Sequence, residues 1–206
     1  DLIISDVMMP VMDGFELCKK LKTDWKTSHI PVILLTAKAT QQSKLEGLEF
    51  GADDYLTKPF DFEELSIRIK NLITQRKHLK EKFSKETSLN AEYFTTNNLD
   101  KDFIEKINKI IETHLQDENF TSENLAEELF VSRSQLNRKL SAVIGKGPGE
   151  FIRIYKLKRA AHMIFENKLS ITQIALEVGF SSPAQFTRAF QKHYNCSPSE
   201  FKQTKL

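Results

Sequence analysis

The chain has 206 residues, 40% of them hydrophobic, and carries 30 Lys and Arg against 28 Asp and Glu. That composition lies in the ordinary soluble globular range and supports one or two cores, so one or two domains are expected. No apolar run approaches the ~18 residues that a membrane span needs, and there is no initiator Met and no charged-then-apolar leader, so these residues are expected to work in the cytoplasm without membrane contact.

Cys18 and Cys196 lie far apart, without a CxxC or Cys/His spacing. This speaks against a disulfide framework or a zinc site and leaves two inert, partly buried thiols. The net charge of +2 conceals an asymmetry: from residue 119 onward 13 Lys and Arg face 7 Asp and Glu, so this part carries +6 and the remainder −4. The two parts are therefore expected to meet different partners, with a polyanion for the basic one.

In chain order, LIIS (2–5), PVILLT (31–36) and DYLT (54–57) read as short strands ending in polar residues, each followed by helical periodicity. Such alternation predicts a parallel sheet flanked by helices. FELCKKLKTD, QSKLEGLEFGA and DFEELSIRIKNLITQRKHL supply the three helices, the last with Asp61 as N-cap and Glu64 three residues on. From about Lys77 to Asn97 the apolar stripe is lost, which marks a linker. The expected organisation is thus a first domain over 1–76, a linker over 77–99 and a second domain over 100–206.

Beyond the linker no strand signal remains. Residues 100–116 place Phe103, Ile107, Ile110, Ile111 and Leu115 on one helical face. ENFTSENLAEELFVSRSQLNRKLSAVIGK predicts two short helices, the first capped by Thr121 or Ser122 and the second by Ser132. GPGEFIRIYKLKRAAHMIFEN follows as a longer helix. The tail predicts a helix, a turn at Gly179, a helix opened by Ser182 and Pro183, and a short one after Pro198. LAEELFVSRSQLNRKL and IALEVGFSSPAQFTRAF read as one supersecondary unit used twice, so the second domain is all-α with two helix-turn-helix units joined by a long helix.

Asp6 ends a buried parallel strand, where α/β folds put their ligand sites. Thr36 ends the second strand and Lys58 follows the third, so carboxylate, hydroxyl and ammonium are expected at one sheet edge. That set suits phosphoryl chemistry: a nucleophile, a partner for the phosphoryl oxygen and a compensating charge. A strand-end Asp alone is more often a turn former or cap; the joint placement carries the reading.

Asp6 with MMPVMDG, Thr36-Ala37, and Tyr55-x-x-Lys58-Pro59-Phe60 resemble the CheY-like receiver domain of bacterial response regulators, a flavodoxin-like α/β fold. The resemblance implies that Asp6 is the phosphoacceptor, that Thr36 and Lys58 contact the phosphoryl group, and that Tyr55 is the aromatic that changes rotamer on activation. It implies a cis peptide at Lys58-Pro59 and a magnesium ion bound by Asp6 and the backbone carbonyl of Met8. Gly14 fits the turn after the loop, because glycine tolerates positive φ. The match covers the later half of a receiver, with three parallel strands, and lacks the acidic pair that supplies most magnesium ligands. A hard divalent ion takes about six oxygens, so magnesium belongs to the intact receiver and this shortened chain is expected to bind none. LIIS becomes an unprotected apolar edge, which predicts pairing of two chains or exchange of elements there. A half-receiver retained only as a structural or dimerisation element stands beside the phosphoacceptor reading.

In SRSQLNRKL, Leu136 and Leu140 are expected to face inward, with Arg133, Ser134, Gln135, Asn137, Arg138 and Lys139 outside. In SSPAQFTRAFQKHY, Phe186, Ala189 and Phe190 face in, leaving Ala184, Gln185, Thr187, Arg188 and Gln191 outside. Arg pairs with guanine and Asn or Gln with adenine in a major groove. A connecting helix of about 16 residues spans roughly 24 Å, against about 34 Å between successive major grooves on one duplex face. LAEEL..SRSQLNRKL, GPGEFIRIYKLKRAAHMI and ITQIALEVGFSSPAQFTRAFQKHYNCSPSEF resemble the AraC/XylS-type DNA-binding domain over about residues 100–203. By position, the resemblance implies base readers at Ser134, Asn137 and Arg138 and at Ala184, Gln185 and Arg188, with Arg133 and Thr187 on phosphates. Lys156 stands where this family often has Arg. His114, His162 and His193 are expected to be ordinary surface or boundary residues.

Together the two halves resemble the C-terminal end of the hybrid two-component sensors of Bacteroides-like bacteria. This implies a parent with an upstream sensor and a histidine kinase or other phosphodonor, set in the inner membrane, and commonly switching on carbohydrate-utilisation genes. The chain itself is then a non-enzymatic, homodimeric regulator of transcription on a bipartite or direct-repeat site in double-stranded DNA. Phosphorylation of Asp6 would move Thr36 and Tyr55 and change the receiver face around residues 41–74. A phosphatase or hydrolase using Asp6 would need a general acid and a complete metal site, and the sequence offers neither. A helical domain that binds protein instead of DNA is separated from this reading by salt dependence, because phosphate contacts release counterions.

Overall fold

The computed structural model describes residues 1–37, 51–85, 88–93 and 95–203. Strands β1 (Ile3–Asp6), β2 (Val32–Thr36) and β3 (Asp54–Thr57) pair in parallel in that order. Asp6 lies opposite Leu35 and Thr36 opposite Thr57, so all three strands end at one edge. β2 is central, and its continuous apolar run is buried, as a strand covered on both faces requires. β1 is an outer strand, and Ile4 on it is exposed.

Helix α1 (Gly14–Thr23) starts where the Asp13 carboxylate accepts the Glu16 backbone N–H at 2.8 Å. Its inward face buries Cys18 against Val32, Leu34 and Ala52. Cys18 is fully buried, Cys196 half-buried, and neither forms a disulfide. The helix expected over QSKLEGLEFGA lies, through residue 50, outside the described residues.

Helix α2 (Phe62–Lys85) opens with Asp61 accepting the Glu63 N–H at 2.8 Å, while Glu64 closes no capping box and binds Arg68 instead. It also runs past residue 76 through the first part of the expected linker. Phe83, 3% exposed, stacks on Phe151 of the helical domain with centroids 5.1 Å apart. A short 3-10 turn over Ala91–Tyr93 buries Ala91 in the same core. Leu79 and Phe83 lie four residues apart on the inward side of this stretch of α2, between charged neighbours that hide the stripe in the sequence.

In the helical domain, α3 (Asn98–Thr113) is capped by Asn97 and buries Ile104, Ile107 and Ile111. The expected stripe is shifted slightly, with Phe103 and Ile110 only half-buried. Then follow α4 (Ser122–Glu128), α5 (Arg133–Ile144), α6 (Pro148–Glu166), α7 (Ile171–Glu177), α8 (Pro183–Tyr194) and α9 (Pro198–Gln203). Thr121, Ser132 and Ser170 each form a capping box, and Ser182 caps α8 with Pro183 at its first position.

The sequence repeat is a structural repeat. Val131 N–H donates to Ala126 O and Phe180 N–H to Ala175 O, both at 3.0 Å, so the α4–α5 and α7–α8 turns close identically. Their left-handed positions are Phe130 (φ 56) and Gly179 (φ 66). At Gly179 a Cβ would lie 2.5 Å from Leu115 O and 2.6 Å from Lys156 Nζ, so only glycine fits. Phe130 is 92% exposed and meets no such obstacle. Helix α6, 19 residues long, is buried around most of its girth between the units and spans about 28 Å.

Three lysines are buried in this domain. Lys158 donates to Ser88 O at 2.9 Å and sits 4.1 Å over the Phe83 ring. Lys156 donates to Asp117 O at 2.8 Å and Gly179 O at 3.3 Å, bracing the second turn. Lys139, expected on the outer face of α5, is 2% exposed instead, ion-paired with the equally buried Asp100. Its ammonium also donates to the Ser28 hydroxyl at 2.8 Å, and that hydroxyl donates to Asp100 Oδ1 at 3.0 Å. Asn97 Nδ2 adds a bond to Ser28 O at 3.2 Å. Burial pushes the Lys139 ammonium below its ordinary pKa, and the Asp100 carboxylate opposes the shift.

Removing one partner strands the other charge in a dry site, at a cost of about 3–5 kcal/mol, whereas replacing both with apolar groups is far less harmful. Asp100→Ala should therefore lower the urea midpoint markedly, and Asp100→Leu with Lys139→Met should recover most of it. Equal losses in the two variants would show that the charges are not coupled.

Candidate functional site

Two surfaces carry chemistry. At the C-terminal edge of the sheet, Val7 N–H donates to Leu35 O at 2.9 Å and Lys58 N–H to Thr36 O at 2.7 Å, so all three strand ends are held side by side. The structure brings Asp6 and Lys58 together as an ion pair, with each side chain about one-third or more exposed. Met8 N–H donates to Asp6 Oδ1 at 3.1 Å. The Lys58 ammonium first, and then the Met8 N–H, hold the Asp6 carboxyl below its ordinary pKa. A solvent-accessible carboxylate kept ionised beside a cation is equipped to attack an electrophilic phosphorus and to have the added charge compensated.

Thr36 is 6% exposed in the neighbouring strand end. Tyr55 lies in mid β3 with its ring against the core that holds Cys18. Burial raises its phenol well above the ordinary pKa, and its hydroxyl finds no hydrogen-bond partner among the described residues. The Lys58-Pro59 peptide is cis.

Gly14 has a different reason from the one expected. Its φ is not positive; a Cβ there would fall 2.3 Å from Asp6 O and 2.9 Å from Val7 Cα. Glycine thus lets the start of α1 press against the backbone that presents Asp6.

Magnesium can be tested against the donors. Asp6 and the Met8 carbonyl offer at most three oxygens, and no cluster of three or more His, Cys, Asp or Glu side chains exists among the described residues. The described residues do not by themselves make a site for an ion that takes about six oxygens.

The second surface is the outer face of α5 and α8. Arg133, Ser134, Asn137 and Arg138 are exposed on α5; Ala184, Gln185 and Arg188 are exposed on α8, with Thr187 half-buried. Gln135 is less available than expected, because its Oε1 accepts the Ser132 N–H at 3.0 Å in the capping box. Arg133 pairs with Glu123 of α4, leaving its side chain 71% exposed. Arg188 Nε donates to Ala184 O at 3.3 Å, a weak tether within its own helix.

The residues that sequence reasoning missed are Ser28, Asn97, Asp100 and Lys139. A signal existed: Leu136, Lys139, Leu140 and Val143 follow the i, i+3, i+4, i+7 spacing of an inner face. The charge of Lys139 outweighed its position.

Residues 1–70 match the family described as response regulator receiver domain, and residues 125–204 match the family described as helix-turn-helix domain. Over 200 residues the chain is 46% identical to the histidine kinase P4 of Formosa agariphila, covering 97% of this chain and 15% of that protein. It is 51% identical over 73 residues to the DNA-binding dual master transcriptional regulator RpaA of Synechocystis sp., covering 35% of this chain and 30% of that protein. Among solved structures, the C-terminal domain of AraT, a response regulator from Geobacillus stearothermophilus, aligns at 26% identity over 50% of this chain and 84% of that one, with a TM-score of 0.46. The chain thus spans less than a third of these two curated relatives. Its first part is thus similar to receiver domains and its second part to helix-turn-helix domains.

Replacing Lys58 by Ala should return the Asp6 pKa toward the ordinary carboxylate value, followed by carboxyl carbon NMR across an acid titration. The native pair stabilises the fold above the ordinary carboxylate range and loses that contribution as pH falls through the depressed Asp6 pKa. An unchanged Asp6 titration would show that Lys58 does not hold the carboxylate.

Proposed function

We propose that this chain is the output end of a two-component phosphorelay that regulates transcription by sequence-specific binding to double-stranded DNA. The observation that carries the reading is the same capped, tightly turned helix pair built twice and fixed by α6, each copy leaving one polar helix face exposed. At about 28 Å, α6 is of the right order to set two reading helices into successive major grooves about 34 Å apart once end packing is added. Ser134, Asn137 and Arg138 read bases in the first groove; Ala184, Gln185 and Arg188 read the second. Arg133 and Thr187 hold phosphates and fix register.

Asp6 is the phosphoacceptor in this reading. Its carboxylate oxygen attacks the phosphorus of a donor phosphohistidine, the bond from phosphorus to the histidine nitrogen breaks, and Lys58 and Thr36 take up the transferred oxygens. The donor fits a histidine kinase joined to or acting with this chain, as the name of the Formosa relative suggests. The receiver face around residues 41–74 then adjusts pairing of two copies; its first part lies outside the described residues.

Binding to a pool of random duplexes, with sequencing of what is retained, tests the assignment. Arg138→Ala and Arg188→Ala should each cost about 1–3 kcal/mol on the recovered site and relax sequence preference in one half-site only. Affinity that is indifferent to both substitutions and to added salt would overturn it.

A further inference from the structure

We propose that the receiver segment itself contributes to the DNA-contacting surface, through the loop at residues 24–30, with Lys26 meeting a phosphate strand beside the groove that α5 enters. The inference rests on the reading of α5 as a helix that enters a major groove, and it assigns a contact outside the helical domain.

The loop is held firmly against α5. Ser28 is buried in the bond network with Asp100 and Lys139, its carbonyl accepts from Asn97, and the Trp25 ring lies 6.0 Å from that of Phe103 on α3. Trp25, Lys26 and His29 share a crevice of about 280 Å³ with Gln135, Arg138 and Lys139. Gln135 and Arg138 are three residues apart and therefore form one flank of α5, the flank next to the loop.

Groove dimensions make that flank consequential. A helix with its side chains is about 10–12 Å across and the major groove is about 12 Å wide, so the two sugar-phosphate strands run close along both sides of an inserted helix. Whatever stands beside Gln135 and Arg138 stands in the path of a phosphate strand. The loop must either obstruct that strand or bind it.

Charge decides between the two. Among the described residues, none that lines the crevice is a carboxylate. Lys139 is neutralised by Asp100, and His29 is uncharged at neutral pH, its pKa lowered to about 4 mainly by burial. The one acidic residue of the loop, Asp24, turns its carboxylate to the Lys26 backbone N–H at 2.9 Å and steadies the loop. Lys26 is exposed, and among the described residues its ammonium pairs with no carboxylate. Lys26 and Arg138 thus present unneutralised positive charge on both rims of the crevice. A covering loop evolved to obstruct DNA would set acids over Arg138; this one sets a lysine beside it.

The test uses the full chain and a duplex that it recovers from a random pool. Lys26→Ala should weaken binding about 3- to 10-fold near 0.1 M salt and reduce the slope of log affinity on log salt by about 0.9, the loss of one phosphate contact; Lys26→Glu should weaken it further. Trp25 is the only tryptophan of the chain, so its quenching by acrylamide in the intact protein should fall when the duplex saturates it. Unchanged affinity and slope in both Lys26 variants would overturn the proposal, with Arg138→Ala as the control that the α5 reading still holds. Tighter binding by Lys26→Glu, or greater Trp25 quenching on DNA, would also overturn it and show the loop to be an obstruction. Failure of the unmodified chain to retain any duplex would overturn both this inference and the reading beneath it.

Discussion

An ammonium group held out of water must be matched by acceptors that the fold supplies, and at Lys139 the resulting network joins three separated parts of the chain. Asp100 belongs to the first helix of the helical domain, Ser28 to the receiver segment, and Lys139 to α5. Moving any one of them away leaves a charge or a hydroxyl buried without its partner, which is costly in a medium of low polarity. The position of the receiver relative to α5 is therefore specified by polar geometry, to a degree that an apolar contact alone would not impose. Helix α2 supports the same arrangement from the other side, since it starts at the sheet and delivers Phe83 into the helical core.

The helical domain uses a second set of buried polar contacts for a different purpose. Lys156 joins the loop after α3 to the turn of the second unit, where glycine is the only residue that the close approach of Leu115 O admits. Lys158 joins α6 to the segment that follows α2. Both ammonium groups are engaged by backbone carbonyls of the fold. The basic excess of the C-terminal part is thus partly internal, and the charge available to a polyanion is smaller than the sequence total suggests. Arg138, Arg188 and the exposed residues around them carry the surface share.

Much of this was legible in the sequence because local rules and tertiary structure agreed. Strand ends, cap residues and the repeated unit followed from alternation, from Ser or Thr before apolar periodicity, and from Gly179 and Pro183. What was not legible arose where the two levels separated. Lys139 looked solvated because it is charged, although it sits at an inner-face position. Phe83 looks like part of a linker because it lies in a stretch dominated by charged residues, and its partner Phe151 is far away in sequence. Gly14 suggested a left-handed turn, while its actual constraint is the backbone of Asp6, a distance that no local pattern encodes. Gln135 has the residue type of a groove contact, while the capping bond that engages its Oε1 depends on the local helix geometry.

Trp25 and the helical content offer separate views of the two parts of the chain. Urea unfolding followed by Trp25 fluorescence and by far-ultraviolet circular dichroism on the same samples tests the central claim that receiver segment and reading domain form one unit through the Ser28, Asp100 and Lys139 contact. The account predicts coincident transitions from both probes, the signature of a single cooperative event. A Trp25 transition completed at lower urea, with the helical signal still native, would contradict it.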